Sequence, residues 1–161
     1  MNLDRLKEVL SYDSESGNLY WKECLSPVAQ VGSIAGTLQS NGYITVGVDG
    51  KILRAHRIAW ALHYNVQPPK LIDHKNRIKS DNRIDNLRAT TVVDNAYNQG
   101  LAKNNKSGVK GVSWDSTREK WRAMCSVAKV RSNLGYYDTI EQASEAVAEF
   151  RRLNHGEFAN N

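Results

Sequence analysis

The chain has little cysteine: Cys24 and Cys125, far apart in sequence, are all it holds. With no Cys-x-x-Cys pair there is no sequence support for a structural zinc site or a disulfide framework, and a reducing cytoplasm is the natural setting. No apolar run approaches the roughly 20 residues that span a bilayer. The opening stretch MNLDRLKEVLSYDSESG carries acidic residues and no apolar core of signal-peptide length. The sequence therefore reads as a soluble, unexported protein without a membrane partner, and no repeat or low-complexity tract is visible in it. Its 161 residues suffice for one ordinary domain or two small ones with thin cores. Lys and Arg number 22 against 17 Asp and Glu, a net charge of +5 and a pI of about 9.2. That basic surplus fits a polyanionic partner without requiring one.

Periodicity organises the first hundred residues. Leu3, Leu6 and Leu10 fall at helical spacing, and Leu19-Tyr20-Trp21 reads as a strand after the break from Asp13 to Gly17. Two β-prone runs, Tyr43 to Val48 and Lys51 to Arg54, flank Asp49-Gly50, a strong hairpin signal. A helix is expected over Ala55 to Tyr64, with Ile58, Ala61 and Leu62 on one face and Pro68-Pro69 closing it. His56 and His63 lie seven apart on that helix, roughly one face, but no further ligand is in view, so packing or a DNA-facing role is favoured over a metal pair. Leu71 to His74 and Leu87 to Thr91 are short extended runs around a charged stretch, and Val92 to Gln99 suits a short helix capped by Thr91.

Leu101 to Ser107 is polar and turn-rich, so it reads as a linker. Three β-like runs follow, around Val109 to Trp114, Lys120 to Ala128 and Val130 to Tyr137, with a tight Ala128-Lys129 junction. An amphipathic helix comes next, with Thr139 and Gln142 as a capping box and Ala143, Ala146, Val147 and Phe150 as its buried stripe. The expected division is residues 1–100, a linker at 101–107 and a module at 108–159, all of α+β class.

The charged stretch is the informative part. It holds Asp73-His74, then Asp81-Asn82-Arg83 and Asn86-Leu87-Arg88, then Thr90-Thr91 and Asn95-Ala96-Tyr97-Asn98. Singly, an Asp-His pair or an Asn-rich turn means little. As an ordered pattern, with 12 positions from His74 to Asn86 and nine more to Asn95, it resembles the HNH endonucleases of phages and mobile introns, the homing type in particular, over residues 43 to 99.

That resemblance implies a ββα-metal motif in which two antiparallel strands and a helix surround one divalent ion. Asp73 and Asn95 would be the metal ligands, and His74 and Asn86 the catalytic residues. The donors are oxygen, favouring Mg²⁺, with Mn²⁺ as the alternative. His74 suits a general base because a near-neutral imidazole can take a proton from water. Asn86 would orient His74 or brace the loop. Neighbouring strand residues point to opposite faces, so a bulge or a strand end is expected at Asp73-His74. Two departures stand out: Asn95 where a second His is usual, and Arg77 where members often have Gly.

The segment from Ser107, with Trp114, Lys120-Trp121-Arg122 and Leu134-Gly135-Tyr136-Tyr137, to a helix ending His155-Gly156-Glu157-Phe158, resembles an AP2 domain, a three-stranded antiparallel sheet backed by a helix. The resemblance implies a sheet that enters the DNA major groove, with Trp114, Arg118, Lys120, Trp121, Arg122 and Arg131 on or beside that surface. At least one of the two tryptophans is expected to be partly core. Arg83, within the HNH pattern, is a further DNA contact. Together these features imply a phage or mobile-element endonuclease acting on double-stranded DNA. It would nick as a monomer, with a homodimer as one route to a double-strand break. The alternative is a non-catalytic, sequence-specific DNA-binding protein on a degenerate HNH scaffold. An RNA-binding module lacks its aromatic stacking signature.

Overall fold

In the computed structural model, residues 1–98, 100–102, 104–127 and 130–154 are described, with the side chains of Val93, Ala96 and Tyr97 set aside. The expected helix end at Gln99, the Ala128-Lys129 junction and the terminal His155 to Phe158 lie outside the described residues. The chain divides into two units, Met1–Thr90 and Thr91–Asn161.

The first unit begins with α1 (Leu3–Val9), where the Asn2 side chain caps by accepting the Arg5 N–H at 3.2 Å. Leu10 leaves the helix and opens β1 (Leu10–Tyr12), which pairs antiparallel with β2 (Leu19–Trp21). A second sheet has the order β3 (Thr37–Leu38), β4 (Ile44–Val48), β5 (Lys51–Arg54). The expected β4–β5 hairpin is present: Val48 faces Lys51 across a two-residue turn in which Asp49 (φ 46°) and Gly50 (φ 74°) are both left-handed. That is the backbone an Asp-Gly turn adopts when its twist matches the strands.

Helix α2 (Ala55–Tyr64) follows directly and ends on Asn65 in the left-handed conformation at φ 56°, three residues before Pro68. The stop is therefore the Asn65 cap, with the prolines lying beyond it. Leu6, Val9, Leu10, Leu19, Trp21, Val46, Val48, Ala55 and Ile58 form the unit's core. The last sheet pairs β6 (Ile72–His74) with β7 (Leu87–Ala89), a 3-10 turn at Ile84–Asn86 leading into β7.

In the second unit, Thr91 caps α3 (Val92–Tyr97), its hydroxyl oxygen accepting the Asp94 N–H at 3.2 Å and its O–H donating to the Asp94 carboxylate at 2.7 Å. Strands β8 (Val112–Asp115), β9 (Lys120–Val127) and β10 (Val130–Tyr137) form an antiparallel sheet with β9 central. Helix α4 (Ile140–Asn154) packs on it through Ala143 and Val147 against Val112 and Ala123. The capping box is present, Gln142 N–H to Thr139 Oγ1 at 3.3 Å and Thr139 N–H to Gln142 Oε1 at 3.4 Å. Arg151, absent from the expected stripe, is 3% exposed and donates from Nη2 to the Lys110 carbonyl at 2.7 Å.

Candidate active site

Strand β6 is the frame of the site. Its register with β7 is unbroken, Ile72 to Ala89, Asp73 to Arg88 and His74 to Leu87, and His74 is its last residue. Of the two geometries expected, the strand end is the one present. As the terminal residue of the strand, His74 is not held to strict alternation with Asp73. Asp73 shares its face with Arg88, whose Nε and Nη2 both donate to Asp73 Oδ2, at 3.1 and 2.9 Å. Both side chains are nearly enclosed, at 10% and 9% exposure for Arg88 and Asp73.

His74 is buried, and its Nε2 lies 3.2 Å from Asn82 Oδ1. With that oxygen accepting, Nε2 carries the proton and Nδ1 is the basic nitrogen. Burial lowers the His74 pKa, while the Asn82 bond and the Asp73 and Asp81 charges pull it back up. Asn82 is itself 2% exposed, and its carbonyl accepts the Tyr12 hydroxyl at 2.8 Å. The turn at Gly17 (φ 76°) closes against the same strand of backbone: a Cβ there would lie 2.5 Å from Arg83 N and 2.7 Å from the Asn82 carbonyl carbon. Residues 12 to 17 thus buttress the segment that orients the imidazole.

Asn86 closes the loop between β6 and β7. Its Oδ1 accepts the Asn76 N–H at 3.0 Å, its Nδ2 donates to the Asp81 carbonyl at 2.7 Å, and its backbone carbonyl accepts from Lys75 N–H at 2.9 Å. Of the two roles anticipated for it, Asn86 makes the loop-bracing contacts, and the bond to His74 comes from Asn82. Arg77 sits in the left-handed region at φ 65°, its N–H bonded to the His74 carbonyl at 2.9 Å. A glycine would take this conformation without strain, so the usual residue at this position has a local backbone reason. Arg83 is held by Asp81 through Nε at 2.8 Å and Nη2 at 2.6 Å, and that pair drives the Asp81 carboxyl down to about 2.

His56, in the first turn of α2, is 6% exposed, and its ring meets that of His74 edge-on at 5.1 Å and that of Tyr43 at 5.4 Å. Its Nδ1 is buried with no hydrogen-bond partner among the described residues. Burial, then the charges of His74, Arg54 and Arg57, push its pKa down to about 3, so it is neutral. His63 is exposed and packs edge-on with Tyr12 and Tyr64, so the two helix histidines do not share an environment.

Asn95 lies in α3, half-buried, its N–H bonded to the Thr91 carbonyl at 3.0 Å. Among the described residues no group of three or more His, Cys, Asp and Glu side chains gathers as a metal cluster. The donors named for an ion, one carboxylate and one side-chain amide oxygen, suit a hard divalent cation in kind.

In the C-terminal sheet the register pairs Ser113 with Arg122 and Asp115 with Lys120 on the face away from α4, where Tyr136 pairs with Arg122 and Arg131 with Ser126. Arg118 lies over the Tyr136 ring at 4.8 Å. Arg118, Lys120, Arg122 and Arg131 are thus collected on one side. Trp114 and Trp121, a T-shaped pair at 5.2 Å, pair in register on the other, α4-facing side with Val112 and Ala123. Trp121 packs on the core, and Trp114 stays 51% exposed at its margin.

Sequence reasoning missed Asn82 as the partner of His74, Arg88 as the partner of Asp73, and the Tyr43–His56 contact with His74. Asn82 was within the recognised pattern, and Arg88 could have been found by pairing two three-residue strands outward from the loop.

Residues 53–97 match the family model described as HNH endonuclease. Protein 3.8 of Escherichia phage T7 is 32% identical over 110 residues, which covers 68% of this chain and 90% of that protein. The chain belongs to the same family as that phage protein and carries an HNH endonuclease domain. No solved structure matches it, and no helix among the described residues is long and apolar enough to cross a membrane.

Proposed function

We propose that this protein is a metal-dependent endonuclease that hydrolyses phosphodiester bonds of double-stranded DNA, with His74 as general base. The observation that carries this is the buried His74–Asn82 pair at the end of β6. It holds one ring orientation and, with Asn82 Oδ1 accepting, selects one tautomer, which a base needs before substrate arrives. His74 Nδ1 takes a proton from water as the water oxygen bonds to phosphorus. The P–O3′ bond breaks and the leaving oxygen takes a proton from a second, solvent water, leaving a 5′-phosphate and a 3′-hydroxyl. Asn86 holds the loop that carries Asn82. A bound divalent ion, with Mg²⁺ the first choice, supplies positive charge for the developing phosphorane. Asp73 would be its carboxylate ligand, and the sequence pattern would add Asn95. The Arg118, Lys120, Arg122 and Arg131 face of the C-terminal sheet serves as a DNA-binding surface of AP2 kind. One site cuts one strand, so the monomer nicks and a dimer is one route to a double-strand break.

A second reading has its own support. Arg88 already neutralises Asp73, as in a DNA-binding protein that has kept the scaffold without the chemistry. Supercoiled plasmid incubated with Mg²⁺, Mn²⁺ or EDTA separates the two. Metal-dependent nicking lost in both Asp73→Ala and His74→Ala supports the enzyme; duplex binding with no cleavage under any metal supports the second reading.

A further inference from the structure

Among the cations near His74, some already have a carboxylate partner. Arg83 and Arg88 are each held by a carboxylate. Arg54 and Lys79 are not: among the described residues neither forms an ion pair, and both are exposed. Three separate segments bring them together, Tyr43 ahead of β4, Arg54 at the end of β5 and Lys79 in the loop between β6 and β7. The Arg54 guanidinium lies 4.1 Å and the Lys79 ammonium 5.0 Å from the Tyr43 ring centroid. Lys79 Nζ is tethered further by the Asn41 carbonyl at 3.1 Å. The same tyrosine ring stands 6.0 Å from that of His74.

Two like charges on one aromatic ring repel, and the ring quadrupole offsets that only in part. An anion meeting both would turn the repulsion into attraction. A guanidinium fork and an ammonium are the two cationic side chains best suited to phosphate oxygens, the first by paired N–H donors and the second as a point charge. We propose that Arg54 and Lys79, seated on Tyr43, form a clamp for the phosphodiester backbone of duplex DNA next to His74, an assignment that rests on the nuclease reading above for its substrate. Arg83, named from the sequence as a DNA contact, is already occupied by Asp81. The clamp is the better-placed uncompensated charge.

The test is binding of the full-length protein to a fluorescein-labelled duplex by anisotropy over a range of KCl, in EDTA so that no cleavage intervenes. Arg54→Gln and Lys79→Gln are each expected to reduce the slope of log K against log salt by about 0.9, as for loss of one phosphate contact, with thermal melting unchanged. Tyr43→Leu lowers the slope and Tyr43→Phe, which keeps the ring, does not. Lys7→Gln, an exposed lysine on α1, keeps the wild-type slope. Wild-type slopes in both glutamine variants, or an equal fall in Lys7→Gln, overturn the clamp, as does absence of duplex binding. A protein that shows the slope changes but never cuts plasmid keeps the clamp and loses the nuclease reading; one that cuts with unchanged slopes does the reverse.

Discussion

Arg88 stands directly across the β6–β7 ladder from Asp73 and places two N–H donors on a single carboxylate oxygen, Oδ2, in a nearly enclosed setting. The relationship gives the Asp73 charge a partner within the strand pair itself. Removing one member of such a buried pair strands the other, at a cost of about 3–5 kcal/mol.

Arg88→Met should therefore lower the urea midpoint sharply, and Asp73→Leu in the same chain should recover much of the loss. If Asp73 is also a metal ligand, Mn²⁺ should raise the melting temperature of Arg88→Met more than that of the wild type, because the ion then supplies the missing positive charge. Equal Mn²⁺ shifts in the two proteins would remove Asp73 from the ligand set.

His56 makes stability depend on acid. Its folded pKa of about 3 lies below the ordinary 6.5 of histidine. Between those values the unfolded chain takes up a proton that the folded chain does not. The stability is thus fully present above about pH 6.5 and falls as pH drops toward 3. The groups facing His56 are His74, Tyr43, Arg54 and Arg57, and the cations among them push the same way. His56→Phe should flatten this acid limb in a pH series of urea melts. It should also gain about 1 kcal/mol at pH 7 by removing the unpartnered Nδ1. An unchanged acid limb would place the proton uptake elsewhere.

Gly17 approaches the backbone of Asn82 and Arg83 too closely for any side chain. Gly17→Ala should cost at least about 2 kcal/mol, from the left-handed backbone and the clash together. Because that backbone carries Asn82, the ring-nitrogen NMR signals of His74 should shift as well. Loss of stability with unmoved His74 signals would show that the two segments are not coupled.

Arg77 is a non-glycine residue at φ 65°. Arg77→Gly should stabilise the chain by about 0.5–1 kcal/mol, the relief of left-handed strain outweighing the extra chain entropy of glycine. Urea denaturation checks this, and a destabilised variant would mean that the Arg77 side chain contributes more than its backbone costs.

Much of this molecule was legible before its structure. The Asp49-Gly50 hairpin, the Thr91 cap and the Thr139–Gln142 capping box were all read from residues at most a few positions apart, where turn and cap chemistry operates. Asp73, His74 and Asn86 stand in an ordered pattern that resembles the HNH family, and that resemblance is what marks them as candidates. The polar stretch after Leu101 suggests a linker there, and the compact units part at Thr90 and Thr91. Composition marks where a chain is polar, and packing decides where it stops folding on itself.

The periodic elements and the caps follow from interactions within a turn or two of chain, and the polar pattern is visible as residue order alone. Tertiary structure alone decided that Asn82 holds His74, that Arg88 meets Asp73, that Tyr43 gathers Arg54 and Lys79, and that His56 is buried against the candidate base. Those partners are separated by 8 to 36 positions, and their meeting depends on strand register and on how α2 lies against β6. Neither is fixed by spacing along the chain. Both follow from burying Leu87, Ile58 and their neighbours away from water, which leaves each polar side chain to find the partner that packing has put in reach.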